Sequence, residues 1–406
     1  MLKHLSLTNF RNYARLESEI PPGVLILVGS NAQGKTNLIE AIYFLSTFLS
    51  FHAENDRQLI NFSATREPLA VGRIVAEYQR GQFDHRLEVR LILENSNRNG
   101  AARVRKEILL DGVKQKMVQA VGHFSAVVFL PQSTRIVEGS PEDRRRFLNL
   151  AIGQVNPAYT EALMDFNRAV QQRNALLKLL AERGGDEGQL DFWDEEISRW
   201  GGFLIHTRIQ ALYELEQITA PIHRQLTGGK EGLAFLYQPS YDPYPTPISQ
   251  YRLAVEVAID RQKIPLQQIR EGYLAALHRK RREDIHRGIT TLGPHRDDVR
   301  FLADGLDLGT YGSRGQGRTA VIALKLAELE WIQAKNNQPA VFLLDEVLAE
   351  LDPHRRRDLF QRLLRCEQVI MTTTELGLFD PDFIDRAAIW QVQNGQVCEP
   401  TLKKGE

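Results

Sequence analysis

The stretch Gly29–Thr36 reads Gly-Ser-Asn-Ala-Gln-Gly-Lys-Thr, and no other short segment restricts the fold of this chain as strongly. It follows an apolar run, Val24 to Val28, and precedes Asn37 to Ser46, where apolar residues recur at helical spacing. A strand, a glycine-containing turn and a helix in that order form a phosphate-binding loop. Gly29 and Gly34 let the backbone curl without a Cβ. Successive N–H groups through Ser30, Asn31, Ala32 and Gln33, together with the helix N-terminus, can then point at phosphate oxygens. Lys35 is placed to reach the β- and γ-phosphates and Thr36 to offer a hydroxyl to Mg²⁺, so ATP and Mg²⁺ are the expected ligands.

The other half of such a site should come from far along the chain. Ala340 to Leu344 is an apolar run that ends in Asp345-Glu346. A buried parallel strand there would deliver Asp345 to the Mg²⁺ shell and Glu346, the candidate catalytic base, to a water in line with the γ-phosphate. Asp352 stands before Pro353 as a helix N-cap, and it is also a candidate nucleotide contact. Ser313, Gly315 and Gln316 open a further helix at Ala320 to Ile332, forming a second anion-binding helix start. One ATP does not need two such sites from one chain. The second makes sense if it caps a nucleotide held by a partner subunit, giving a two-fold dimer assembled around ATP.

The chain has 406 residues, more than one compact core usually occupies. Strand signals fill the first third and return at Val299 to Leu302, Ala340 to Leu344, Val369 to Thr373 and Ala388 to Val392. Between Pro141 and about Arg282 the spacing is helical. Gly184-Gly185, Gly228-Gly229 and the proline-rich Pro239 to Pro247 break it, which excludes a long coiled coil. The expected fold is therefore α/β: residues 1–137 and 285–406 build the ATP-binding lobe and residues 138–284 an inserted, mainly helical lobe. Lys and Arg number 51, as do Asp and Glu, so a nucleic-acid partner must be met by local clusters rather than a global field. Cys366 and Cys398 fit no metal spacing or disulfide framework. Met1 to Ile20 lacks a signal-peptide core and no apolar run reaches membrane-spanning length, so the expected location is cytoplasmic, with no membrane partner.

Taken in order, these motifs resemble the ATP-binding-cassette heads of the SMC class, and within it the RecF family of bacterial DNA replication and repair proteins. The resemblance is carried by Leu7 to Tyr13, Asn31, Gly34 to Ile42, Gln172-Arg173-Asn174, Gly293-Pro294-His295-Arg296-Asp297-Asp298, Ser313 to Thr319, and Leu343 to Glu346 through Glu350-Leu351-Asp352. It implies a head without a long coiled coil, ATP-dependent dimerisation reversed by slow hydrolysis, and binding of single- and double-stranded DNA without base-specific readout. It also implies roles in recombinase loading and the SOS response, with RecR and RecO as partners. Gln132, after the strand Ala126 to Leu130, becomes a candidate for the glutamine that senses Mg²⁺ and the attacking water. Two positions depart from the pattern. Ser50, Phe51 and Ala53 stand where many relatives place an arginine contact, and Asn149 replaces an often acidic residue near Arg145 and Arg146.

For DNA the preferred cluster is Arg103, Arg105, Lys106, Lys114 and Lys116 around the Asp111-Gly112 turn, since a basic hairpin can follow a phosphate backbone without reading bases. Arg144 to Arg146 is the next cluster. No helix-turn-helix or zinc-finger spacing is present. Two other functions compete: the ATPase subunit of a membrane transporter, and a nucleotide-binding scaffold without turnover. The large helical insertion and Ser313-Arg314-Gly315-Gln316 argue against the first, and Glu346 against the second.

Overall fold

The computed structural model describes residues 1–66, 69–94, 103–244 and 261–398. The chain divides into two compact units, Met1–Gln132 with Ile332–Glu406, and Ser133–Trp331. The second boundary falls inside one helix, Arg314–Asn336.

The first unit contains two six-stranded sheets. One is an antiparallel meander of Leu2–Phe10, Tyr13–Glu19, Ala70–Arg80, Phe83–Glu94, Arg103–Leu110 and Val113–Gln115, with Leu2–Phe10 between its successor and Ala70–Arg80. The other runs Gln396–Cys398, Ala387–Gln393, Gly23–Val28, Gln368–Thr373, Val341–Asp345, Ala126–Phe129, and only its first pair is antiparallel. Every residue of Val341–Asp345 and Gln368–Thr373 is buried, which is why their central residues are consecutive apolar side chains rather than alternations. Between them the sheets enclose an apolar core that includes Leu5, Leu27, Phe44 and Leu343, and the helix Lys35–Thr47 sends its apolar side chains from Leu38 to Leu45 there. Because the strands are parallel, Gly29, Gln132, Asp345 and Thr373 all emerge at the carboxyl edge of one sheet, where open α/β sheets bind ligands.

The second unit is built on the helices Pro141–Val155, Pro157–Arg183, Leu190–Leu226 and Leu266–Arg287. Gly184 follows Arg183, and Gly228-Gly229 follows Leu226 after one residue, so both breaks mark helix ends. One expectation fails here. Leu233–Gln238, inside the stretch read as helical, is a strand paired antiparallel with Asp298–Ala303. Six consecutive residues with one polar end carry no period that separates strand from buried helix, and the partner strand lies some sixty residues away. Residues 245–247 of the proline-rich segment lie outside the described residues.

The Gly293 to Asp298 motif is packed into this unit. Asp297 accepts from Ser240 N at 2.8 Å, from the Tyr237 hydroxyl and from Arg208 Nη1 at 3.2 Å. Arg208 is 1% exposed and also donates to the Tyr159 hydroxyl, Pro294 O and Asn149 Oδ1. Asn149 therefore serves Arg208 and Tyr159, and Arg144 pairs with Asp298 instead, at 2.6 Å. Among the described residues no helix is long and apolar enough to cross a membrane.

Candidate nucleotide-binding site

The loop between Gly23–Val28 and Lys35–Thr47 is shaped by backbone conformations that only some residues tolerate. Gly34 sits at φ 118, and a Cβ there would lie 2.7 Å from Asn12 Nδ2 and 3.0 Å from the Tyr13 hydroxyl. Ala32 is left-handed at φ 65, as is Glu346 at φ 52 beyond the strand Val341–Asp345. Non-glycine residues held at positive φ store strain and cluster where a site demands a particular backbone shape.

Two turns, remote in sequence, clamp this loop. Asn12 Nδ2 donates to Gln33 O at 3.0 Å, Asn37 Nδ2 donates to Asn12 Oδ1 at 2.8 Å, and the Tyr13 hydroxyl donates to Gly34 O at 3.0 Å. From the other end of the chain, Gly395 N donates to Gln33 O at 2.9 Å and Asn394 N to Gln33 Oε1 at 2.8 Å. Behind them the buried Glu40 takes a bidentate pair from Arg11, both bonds at 2.7 Å, and the Ser50 hydroxyl. Ser50 in turn accepts from His52 N and Ala53 N, so this departure from the family pattern ties its segment to the helix.

The polar groups converge on a cavity of 260 Å³ lined by Asn31, Ala32, Gly34, Lys35, Thr36, Asn37 and Glu346. Lys35 Nζ lies 2.7 Å from Gly29 O, 3.0 Å from Ser30 O and 3.0 Å from Glu346 Oε1. The Thr36 hydroxyl is 3.0 and 2.9 Å from the two oxygens of Asp345, across 309 residues of sequence. Burial pushes the Asp345 carboxyl above its ordinary value; hydrogen bonds from Thr372 and Thr36 oppose this, and the Glu346 charge adds to it. A hydroxyl and one carboxylate suit a small, hard cation that keeps waters and takes its remaining ligands from phosphate. Among the described residues no group of three or more His, Cys, Asp and Glu could hold a metal by itself. The donor set thus fits a cation brought with a nucleotide.

A model of the RecF/RecN/SMC N-terminal domain matches residues 1–391. The DNA replication and repair protein RecF of Roseiflexus castenholzii is 36% identical over 406 residues, covering 97% of this chain and 98% of that one. The chain belongs to the RecF family. A solved structure of the recombination mediator protein RecF-ATP in the RecFOR pathway superposes with a TM-score of 0.80 at 29% identity, covering 98% of this chain and 97% of that one. An SMC head bound to the C-terminal winged-helix domain of ScpA matches with a TM-score of 0.51 at 14% identity, over 99% and 98% of the two chains, a likeness of fold alone. The α/β, ATP-binding-cassette-type fold expected from the motifs is the fold of this RecF-family chain.

Other expected residues lie elsewhere. Gln132 is exposed on the turn after Ala126–Phe129, at the same sheet edge as Asp345 but outside the cavity lining. Asp352 caps the helix Pro353–Leu363, accepting from His354 N and Arg355 N at 3.1 and 3.0 Å. Ser313 is exposed in the second unit, where Gln316 N donates to its Oγ and Ser313 N donates to Gln316 Oε1 at 2.9 Å, a reciprocal cap. Gly315 O accepts from the Thr319 hydroxyl. The basic strand Arg103–Leu110 alternates its faces. Arg105 pairs with Glu94 at 2.7 Å and with Glu107, which also holds Lys114 at 2.8 Å. Lys106 turns to the core side, donates to Phe48 O at 2.7 Å and pairs with Asp56 at 3.1 Å. Arg103 and Lys116 are exposed and make no ion pair among the described residues.

Sequence reasoning singled out Asn12 and Tyr13 only as part of a resemblance and missed Asn394, Gly395 and Thr372. The Asn394-Gly395 turn signal is visible in the sequence, but nothing local says which loop it braces.

Proposed function

We propose that the chain is an ATP-dependent DNA-binding protein of recombinational repair and replication-fork maintenance, acting as a switch that hydrolyses ATP slowly. The observation that carries this reading is the meeting of Lys35, Thr36 and Glu346 around one cavity, with Asp345 bonded to Thr36, in a chain that matches a RecF relative over 97% of its length. Gly29 to Thr36 would hold the phosphates, and Thr36, Asp345 and Gln132 the Mg²⁺. Bound ATP and Mg²⁺ supply the transferable phosphoryl group and the charge that neutralises it. Glu346 would take the proton of the attacking water, and its ion pair with Lys35 would break as the ammonium turns to the phosphates.

Ser313, Gly315 and Gln316 would complete the site of a second subunit, making the dimer depend on ATP and its dissociation on hydrolysis, and Asp352 would be a further nucleotide contact. DNA phosphates would meet Arg103, Arg105, Lys114 and Lys116, with Lys106 holding the strand from its other face. DNA would raise turnover, and RecR and RecO would be the partners through which recombinase loading and SOS induction follow, in the cytoplasm. The transporter reading lacks support from relatives that match the full chain under the RecF name.

The test is light scattering with and without ATP, run beside a DNA-binding assay. ATP should shift the mass from one chain to two and increase DNA retention. Lys35→Ala should lose both effects, and Ser313→Arg should still bind ATP yet remain a monomer. A Ser313→Arg protein that dimerises in ATP overturns the trans contact, and ATP affinity unchanged in Lys35→Ala overturns the site itself.

A further inference from the structure

The strand next to Val341–Asp345 contributes a side chain that the motifs do not include. Asp345 is in register with Thr372, so the strand Gln368–Thr373 brings the Thr372 side chain beside it. Thr372 is 2% exposed, and its hydroxyl donates to Asp345 Oδ1 at 2.6 Å. The Thr372 hydroxyl oxygen also accepts from Glu346 N at 3.0 Å. One hydroxyl has one proton to give and lone pairs to receive with, and this one uses both, on two consecutive acidic residues. The second bond falls on the residue held at φ 52, a left-handed conformation that residues with a Cβ rarely adopt. The hydroxyl thus sets the rotation of the Asp345 carboxylate and anchors the backbone from which the Glu346 side chain projects.

We propose that Thr372 is a positioning residue of the nucleotide site: it orients Asp345 toward the cation and fixes Glu346 for its work on water. This rests on the assignment of Asp345 and Glu346 given above. Thr372 does not line the cavity, so it acts through these two residues. Groups of this kind typically change metal affinity or activity 10–100-fold when removed.

Thr372→Val keeps the β-branched shape in a buried strand and removes the hydroxyl; Thr372→Ser keeps the hydroxyl and removes a methyl. In the full-length protein, the Mg²⁺ concentration for half-maximal binding of a fluorescent ATP analogue should rise about 10-fold or more in Thr372→Val, and kcat should fall by a similar factor with KM changed less. Affinity for the analogue in EDTA should stay within about 3-fold of the parent, because the bonds of Lys35 to Gly29 O and Ser30 O and the loop clamp are untouched. Thr372→Ser should recover both parameters to within about 3-fold. Parental Mg²⁺ dependence and kcat in Thr372→Val overturn the proposal. So does a Thr372→Ser protein as impaired as Thr372→Val, which would assign the effect to packing. Glu346→Gln in the same assay separates this from the underlying assignment: parental turnover there removes Glu346 as the base, while the Mg²⁺ dependence of Thr372→Val still decides the role of Thr372 toward Asp345.

Discussion

Charged side chains are handled in two different ways by the phosphate loop and by the helical unit. At the loop, Lys35 is 4% exposed, but its partner Glu346 is 38% exposed and lines an open cavity. In the helical unit Arg173 and both of its carboxylates, Asp194 and Asp284, are 0% exposed, and Asp194 also receives Arg281 at 2.7 Å. The first pair can be exchanged for a phosphate because one member already faces water. The second cannot be exchanged, since separating it would leave a charge in a low-dielectric interior. Charge at the loop is available for chemistry, whereas in the helical unit it fixes which helices meet.

The sharpest way to test the contrast is to neutralise one carboxylate at the loop. Glu346→Gln should lower ATP turnover by on the order of 10²–10⁴-fold while ATP binding and thermal stability stay near the parent, because an amide keeps the shape but cannot take a proton. Single-turnover hydrolysis beside a melting curve reads both, and a large loss of stability would make this pair structural like the other.

In the helical unit the effect should fall on stability. Arg173→Met leaves Asp194 and Asp284 buried without their main cation and should cost about 3–5 kcal/mol in urea unfolding. Nucleotide affinity of the folded protein should be unchanged; a parallel loss of ATP binding would show that the contrast is wrongly drawn.

Gly395→Ala lies between the two extremes. The residue sits at φ 70, with Asn12 O only 2.5 Å from where a Cβ would be, so strain of about 1–3 kcal/mol should be shared between stability and the clamp on Gln33. Calorimetric ATP binding should weaken by a few-fold, and full ATP affinity would relieve the clamp of any part in shaping the loop.

The smallest effect is a pH slope. Burial, together with the positive charges of Arg296, Arg145 and Arg208, lowers the His295 imidazole to about 4 against an ordinary 6.5, partly offset by its bond to Thr290 O. A depressed folded-state value means the unfolded chain takes up the proton first. Its contribution to stability is therefore whole above pH 6.5 and is lost as pH falls toward 4. Stability measured across that window should decline less steeply in His295→Gln than in the parent. Identical slopes would remove His295 as the source.

Much of this was legible along the chain. The strand before Gly29, the helix after Thr36 and the Asp345-Glu346 strand all lie where apolar runs and turn residues place them, and the glycine pairs mark two helix ends. Leu233–Gln238 was not legible, because a short apolar segment takes the structure its partner offers. The basic hairpin was read as one cluster, but a strand sends successive side chains to opposite faces, and Lys106 went to the core side.

The sequence by itself determined the phosphate loop, since its curl, its cation and its hydroxyl come from eight adjacent residues whose conformational limits are local. Tertiary structure alone decided that Asp345 reaches Thr36, that Thr372 bonds the Asp345 carboxylate and the Glu346 backbone, and that Asn12 and Gly395 grip Gln33. Those meetings depend on the register and order of strands drawn from distant parts of the chain. Burial of whole sheets selects that register, and no single residue type encodes it.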